Sequence, residues 1–62
     1  MVYVGQVIRY RPRVTGGEVI GVITAVHRHP YYATSVTFRI TDGNRLYPTG
    51  STECVFAEDV GV

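Results

Sequence analysis

From Gln6 to Arg13 the chain alternates, with Ile8 and Tyr10 set against Arg9, Arg11 and Arg13. Successive side chains of a strand point to opposite faces, so this segment predicts a strand with one apolar face and one line of guanidinium groups. Pro12 has no N–H to give a ladder, which places that end at a sheet edge or already leaving the sheet. Thr15-Gly16-Gly17 predicts a turn. A second strand, about Glu18 to His27, is apolar on both faces: Val19, Ile23 and Ala25 on one, Ile20, Val22 and Val26 on the other. A strand buried on both sides of a small barrel must bend, and Gly21 is the expected bend. His29-Pro30-Tyr31-Tyr32 breaks the pattern as a loop. A third strand follows, with Val36, Phe38 and Ile40 inward and Thr37, Arg39 and Thr41 outward.

Asp42-Gly43, followed by Asn44, predicts a tight hairpin reversal into a fourth strand around Arg45 to Tyr47. Pro48-Thr49-Gly50-Ser51 is a second loop, and Glu53 to Phe56 returns as a strand. Ala57-Glu58-Asp59 is suited to a single 3-10 turn, and Val60 and Val62 to a last short strand. No segment carries a helical face. The pattern predicts an all-β fold, one domain over residues 1–62, built as a small five-stranded SH3-like antiparallel barrel.

Length sharpens this expectation. A chain of 62 residues buries only about 60% of its unfolded surface, and ordering it costs roughly 1.5 kcal/mol per residue. Self-association, or a place as a subunit of a larger assembly, is therefore expected. The single Cys54 forms no internal disulfide, which favours a reducing compartment. No charged leader and no apolar run of membrane-spanning length is visible, so a cytoplasmic setting without membrane insertion is expected.

Net charge is +1, unevenly spread. Residues 1–38 carry four Arg against Glu18, a balance of +3; residues 39–62 carry two Arg against four carboxylates, a balance of −2. Every basic side chain is Arg. Arg makes planar bidentate contacts with carboxylates and phosphates and stacks on aromatic rings; a genome rich in G and C would give the same composition.

Three resemblances follow from these residues. Gly21-Val22-Ile23-Thr24-Ala25-Val26 resembles the Gly-x-hydrophobic-x-x-Val ending of the KOW motif of ribosomal and transcription-elongation proteins, with Gly5, Val7 and Gly16-Gly17 near its start. That likeness implies RNA binding. A longer likeness is to the E subunit of photosystem I: Met-Val-x-x-Gly at the start, Arg9, Arg11-Pro12, Glu18-Val19, Gly21 to Val26 and Phe56-Ala57. It implies docking within an assembly, although the aromatic residues of that family's first loop are replaced here by Val14-Thr15-Gly16-Gly17, and the region between Phe38 and Phe56 is longer. Leu46-Tyr47-Pro48 echoes the active-site signature of type II dihydrofolate reductase, a tetrameric enzyme. Here Arg45 stands where its pterin-contacting Gln would be, and Tyr10 falls near its essential Lys. A shared barrel does not transmit function.

Arg9, Arg11 and Arg13, with Arg28 and the exposed-looking Tyr31 and Tyr32, are the candidate partner-binding residues. Such a set tracks a phosphate backbone with rings for stacking bases, or forms a protein interface rich in Arg and Tyr. The competing reading is a solvated strand face whose cations meet Glu53, Glu58 or Asp59. His27 and His29 share one side of a strand, with Cys54 as a third ligand to consider, but no second ligand pair has zinc spacing, so no metal is expected. Five tyrosines would serve an aromatic cage only if they converged. No catalytic set or phosphate-cradling loop is present, and no cofactor is expected. The expected function is a non-catalytic binding or docking module for a protein partner. RNA binding through the same arginines is the alternative, and a reductase-like oligomeric enzyme the remote one.

Overall fold

A computed structural model describes residues 1–13 and 17–61. It contains β1 (Val7–Tyr10), β2 (Val19–His27), β3 (Ser35–Asp42), β4 (Thr52–Phe56), a 3-10 turn (Ala57–Asp59) and β5 (Val60–Gly61). The chain is all-β, and every pairing is antiparallel, in the order β4-β3-β2-β1-β5. The last strand thus returns to the first, and β4 and β5 are left as the two edges. The 3-10 turn links one edge to the other, and the sheet curls into a half-barrel. Among the described residues no helix is long and apolar enough to cross a membrane. The predicted turn at Thr15-Gly16 and the pairing of Val62 lie outside the described residues.

The alternation read from the chain sets the core. Ile8, Val19, Ile23, Val36, Phe38 and Ile40 are almost wholly buried, one strand face each from β1, β2 and β3. Tyr10 packs edge-on against Phe38, with ring centroids 5.8 Å apart. Strand β1 stops at Tyr10, short of the predicted Arg13, because Pro12 cannot continue the ladder. The alternation itself persists: Pro12 is buried between exposed Arg11 and Arg13.

Strand β2 bends by two register shifts against β3, one between Ile20 and Gly21 and one between Ile23 and Ala25. Each leaves a threonine as the extra residue of a β-bulge, Thr41 on β3 and Thr24 on β2. Both hydroxyls donate across the gap, Thr41 Oγ1 to the Ile20 carbonyl and Thr24 Oγ1 to the Thr37 carbonyl, each at 3.3 Å. The bulge at Thr24 corrects the predicted faces of β2. Beyond it the core side passes to Val26, opposite buried Val36 and packed on the core, while Ala25 stands opposite Thr37. One inserted residue inverts every later side chain of a strand. Gly21 sits between the bulges because a Cβ there would lie 2.6 Å from Phe38 Cδ2 and 2.8 Å from the Arg39 carbonyl oxygen.

The predicted strand at Arg45 to Tyr47 does not form. Strands β3 and β4 are joined by a nine-residue loop, 43–51, in which the Asn44 side chain takes the backbone groups a strand would use. Asn44 Oδ1 accepts from Leu46 N at 3.0 Å and Tyr47 N at 2.9 Å, and Asn44 N donates to the Tyr47 carbonyl at 2.9 Å. Gly43 lacks the positive φ of a tight hairpin; a Cβ there would fall onto the Tyr47 carbonyl oxygen and within 2.6 Å of Thr49 N. The five strands are completed by the segments predicted at Glu53 to Phe56 and at Val60, which form β4 and β5.

Candidate binding site at the open rim

Tyr10, the last residue of β1, stands opposite Val19 of β2 and Val60 of β5. This is the rim where the loop 43–51 and the end of the 3-10 turn converge. The Asn44-capped turn delivers Tyr47, whose ring meets Tyr10 edge-on at 6.5 Å. The 3-10 turn delivers Asp59, and the chain leaving β1 delivers Arg11 and Arg13. These five side chains line a cleft of about 230 Å³.

The Tyr10 phenol holds its proton above the ordinary range. Burial is the largest cause, followed by the fields of Tyr47, Asp59 and Glu53, with Arg13 opposing. Glu53 stands opposite Phe38 on β4 and so belongs to the inner side of the sheet. The rim therefore gathers two carboxylates and two guanidinium groups around a pair of phenols. Among the described residues no arginine closes to within 4.0 Å of a side-chain carboxylate oxygen, and Arg11, Arg13 and Asp59 line the cleft together.

The six partner-binding candidates occupy three places. Arg9 points outward from the middle of β1, opposite Ile20. Arg11 and Arg13 line the rim cleft. Arg28, Tyr31 and Tyr32 follow the far end of β2, eight residues from Val19, or about 26 Å at the usual rise of a strand. There Arg28 Nη2 donates to the Val2 carbonyl at 3.0 Å, and the guanidinium borders a second hollow of about 400 Å³ with Val2, Ala57 and Glu58. Tyr31 and Tyr32 are 90% and 77% exposed, with His29 edge-on to Tyr32 at 6.2 Å. Arg11 and Arg13 thus stand at the opposite end of β2 from Arg28, Tyr31 and Tyr32. His27 Nε2 lies 3.0 Å from Thr37 Oγ1, and no group of three metal-ligating side chains comes together among the described residues.

Tyr10 and Asp59 join the candidate set only in three dimensions. Tyr10 reads from the sequence as a core residue, and Asp59 as a counter-charge. The cleft joins Tyr10, Arg11, Arg13, Tyr47 and Asp59, and no local spacing signals that convergence. Comparison with family models, with curated proteins and with solved structures finds no match to this chain.

Proposed function

We propose that the chain is an SH3-like barrel that serves as a non-catalytic binding module, taking a protein segment at the rim cleft. The SH3-like assignment is supported by the five-strand meander in which a 3-10 turn returns the last strand to the first. One observation carries the protein reading: Arg11 and Arg13 share the cleft with Asp59, and Glu53 acts on the same phenol. A mixed-charge cleft walled by tyrosine rings complements a peptide that brings both signs of charge. A phosphate backbone would meet the carboxylates as well as the arginines.

RNA binding, the reading implied by the KOW-like stretch, rests on the same arginines and rings and differs in its response to salt. Affinity for phosphates falls steeply as salt rises, with a slope set by the number of contacts. Capture by photo-crosslinking from a lysate of the source cells, with and without nuclease, separates the two. The protein reading expects nuclease-resistant partners that Arg11→Glu with Arg13→Glu abolishes and Arg28→Ala retains. Equal capture by all three proteins sinks it. Salt-sensitive binding of a single-stranded RNA oligonucleotide, lost in the Arg11/Arg13 double variant, would replace it with the RNA reading. Turnover of dihydrofolate with NADPH would overturn the non-catalytic assignment.

A further inference from the structure

We propose that the outer face of β1, β2 and β3 is a self-pairing surface, occupied by a second copy of this chain. The face is built by register. Val7 stands opposite Val22, itself opposite Arg39; in the neighbouring row Arg9 stands opposite Ile20, itself opposite Asp42. The alternate residues Ile8, Val19, Ile23 and Ile40 fill the core, which sends this set outward. Val7 is 60% exposed, and Ile20 and Val22 are only half-buried. The middle strand thus spends two large β-branched side chains on a face the interior does not use.

The charges say what covers it. Arg9 and Asp42 flank Ile20 on opposite sides, two strands apart, which is about 10 Å at normal strand spacing. That spacing keeps the two from pairing with each other within one chain. Consider a copy turned about a two-fold axis that lies in the contact plane and runs along β2. It lays Ile20 on Ile20 and Val22 on Val22, and it reverses the order of each row. Arg9 then meets Asp42 of the second copy, and Asp42 meets its Arg9. In the other row the Arg39 stem covers the second copy's Val7. The alternative in-plane axis, perpendicular to β2, sets Arg9 on Arg9 and Asp42 on Asp42 when it runs through their row, or Asp42 on Arg39 and Arg9 on Val7 when it runs between the rows. Only the first arrangement pairs Arg9 with Asp42, an isologous contact in which each pair occurs twice.

The contact is small. A standard interface takes about 800 Å² from each partner, nearly a fifth of the 4368 Å² this chain exposes. A face a few side chains wide falls below that, in the weak and transient class. The rim-cleft residues Tyr10, Arg11, Arg13, Tyr47 and Asp59 are not part of this face, so the inference stands or falls independently of the binding function proposed above.

Sedimentation equilibrium over roughly 10 μM to 1 mM, the range that brackets weak association, tests it with charge reversals. The wild-type chain is expected to move from 6.9 kDa toward twice that mass. Arg9→Asp and Asp42→Arg should each weaken association at least tenfold, because like charges then face each other. The double reversal, and an equimolar mixture of the two single variants, should return association to near the wild-type level. Restoration by mixing cannot arise from a role within one chain. A wild-type mass that stays monomeric throughout overturns the proposal, as do single variants that associate unchanged or a mixture that restores nothing. Arg9→Glu and Asp42→Lys form a second set should either first variant fail to fold, judged by circular dichroism.

Discussion

Two residues make quantitative demands on their surroundings. Gly21 is held by close approach rather than by backbone conformation. Its missing Cβ leaves room for the buried Phe38 ring and for the Arg39 carbonyl, and neither can retreat, since Phe38 fills the core and Arg39 belongs to the ladder. Gly21→Ala should therefore destabilise by about 1–3 kcal/mol, the usual cost of overpacking. A shift in the urea midpoint at unchanged slope checks this, and no shift would mean that the bulges on either side absorb the methyl group. Tyr10 makes a demand of the solvent. Its folded-state pKa lies above the unfolded value near 10 because burial and nearby negative charge disfavour the phenolate. The folded state thus binds this proton more tightly, so the stabilisation is fully present below about pH 10 and is lost as pH rises above it. Denaturant midpoints at pH 8 and pH 11 should differ more for the wild type than for Tyr10→Phe; equal losses would assign the alkaline weakening to other groups.

At the scale of elements, most strands were legible because a period of two is visible wherever one face is buried. The stretches around Ile8, Val36–Ile40 and Glu53–Phe56 announce themselves, as does the 3-10 turn at Ala57–Asp59. Two features were not. The face change in β2 depends on Thr24, which looks like an ordinary polar position until its register against Thr37 is known. The loop 43–51 depends on a side chain imitating backbone: Asn44 Oδ1 occupies two amides that a β-propensity reading assigns to a ladder. Such local competition is why Asn favours turns over strands. The rim cleft was illegible for the same reason, since Tyr47 reaches Tyr10 only through this turn. Asn44→Ala should cost about 1 kcal/mol for its hydrogen bonds to the backbone. It should also raise hydrogen exchange at the Leu46 and Tyr47 amides while leaving β3 amides protected. Uniform acceleration across the sheet would show instead that the loop unfolds only with the whole domain.

For the whole molecule, a core in which six apolar residues are nearly fully buried among the described residues must stabilise a 62-residue chain. Stabilities of about 0.05–0.15 kcal/mol per residue leave little reserve. In that regime association is a thermodynamic contribution as well as an interaction, because anything that binds only the folded state raises its stability by mass action. The outer face of β2 is the part of the molecule where the apolar pattern exceeds what the interior consumes, and Arg9 and Asp42 frame it with opposite charges. A folded copy covering that face should make the thermal midpoint depend on protein concentration. The wild-type midpoint should rise by a few degrees across a hundredfold increase in concentration, because about 1 kcal/mol shifts a domain of this size by roughly 4–8 °C. Arg9→Asp should flatten that dependence while keeping the dilute-limit midpoint, since Arg9 is exposed and no ion pair with a side-chain carboxylate among the described residues holds it. If the wild-type midpoint proves independent of concentration, the apolar outer face of β2 contributes nothing to stability through a second copy, and the half-barrel stands on its own core.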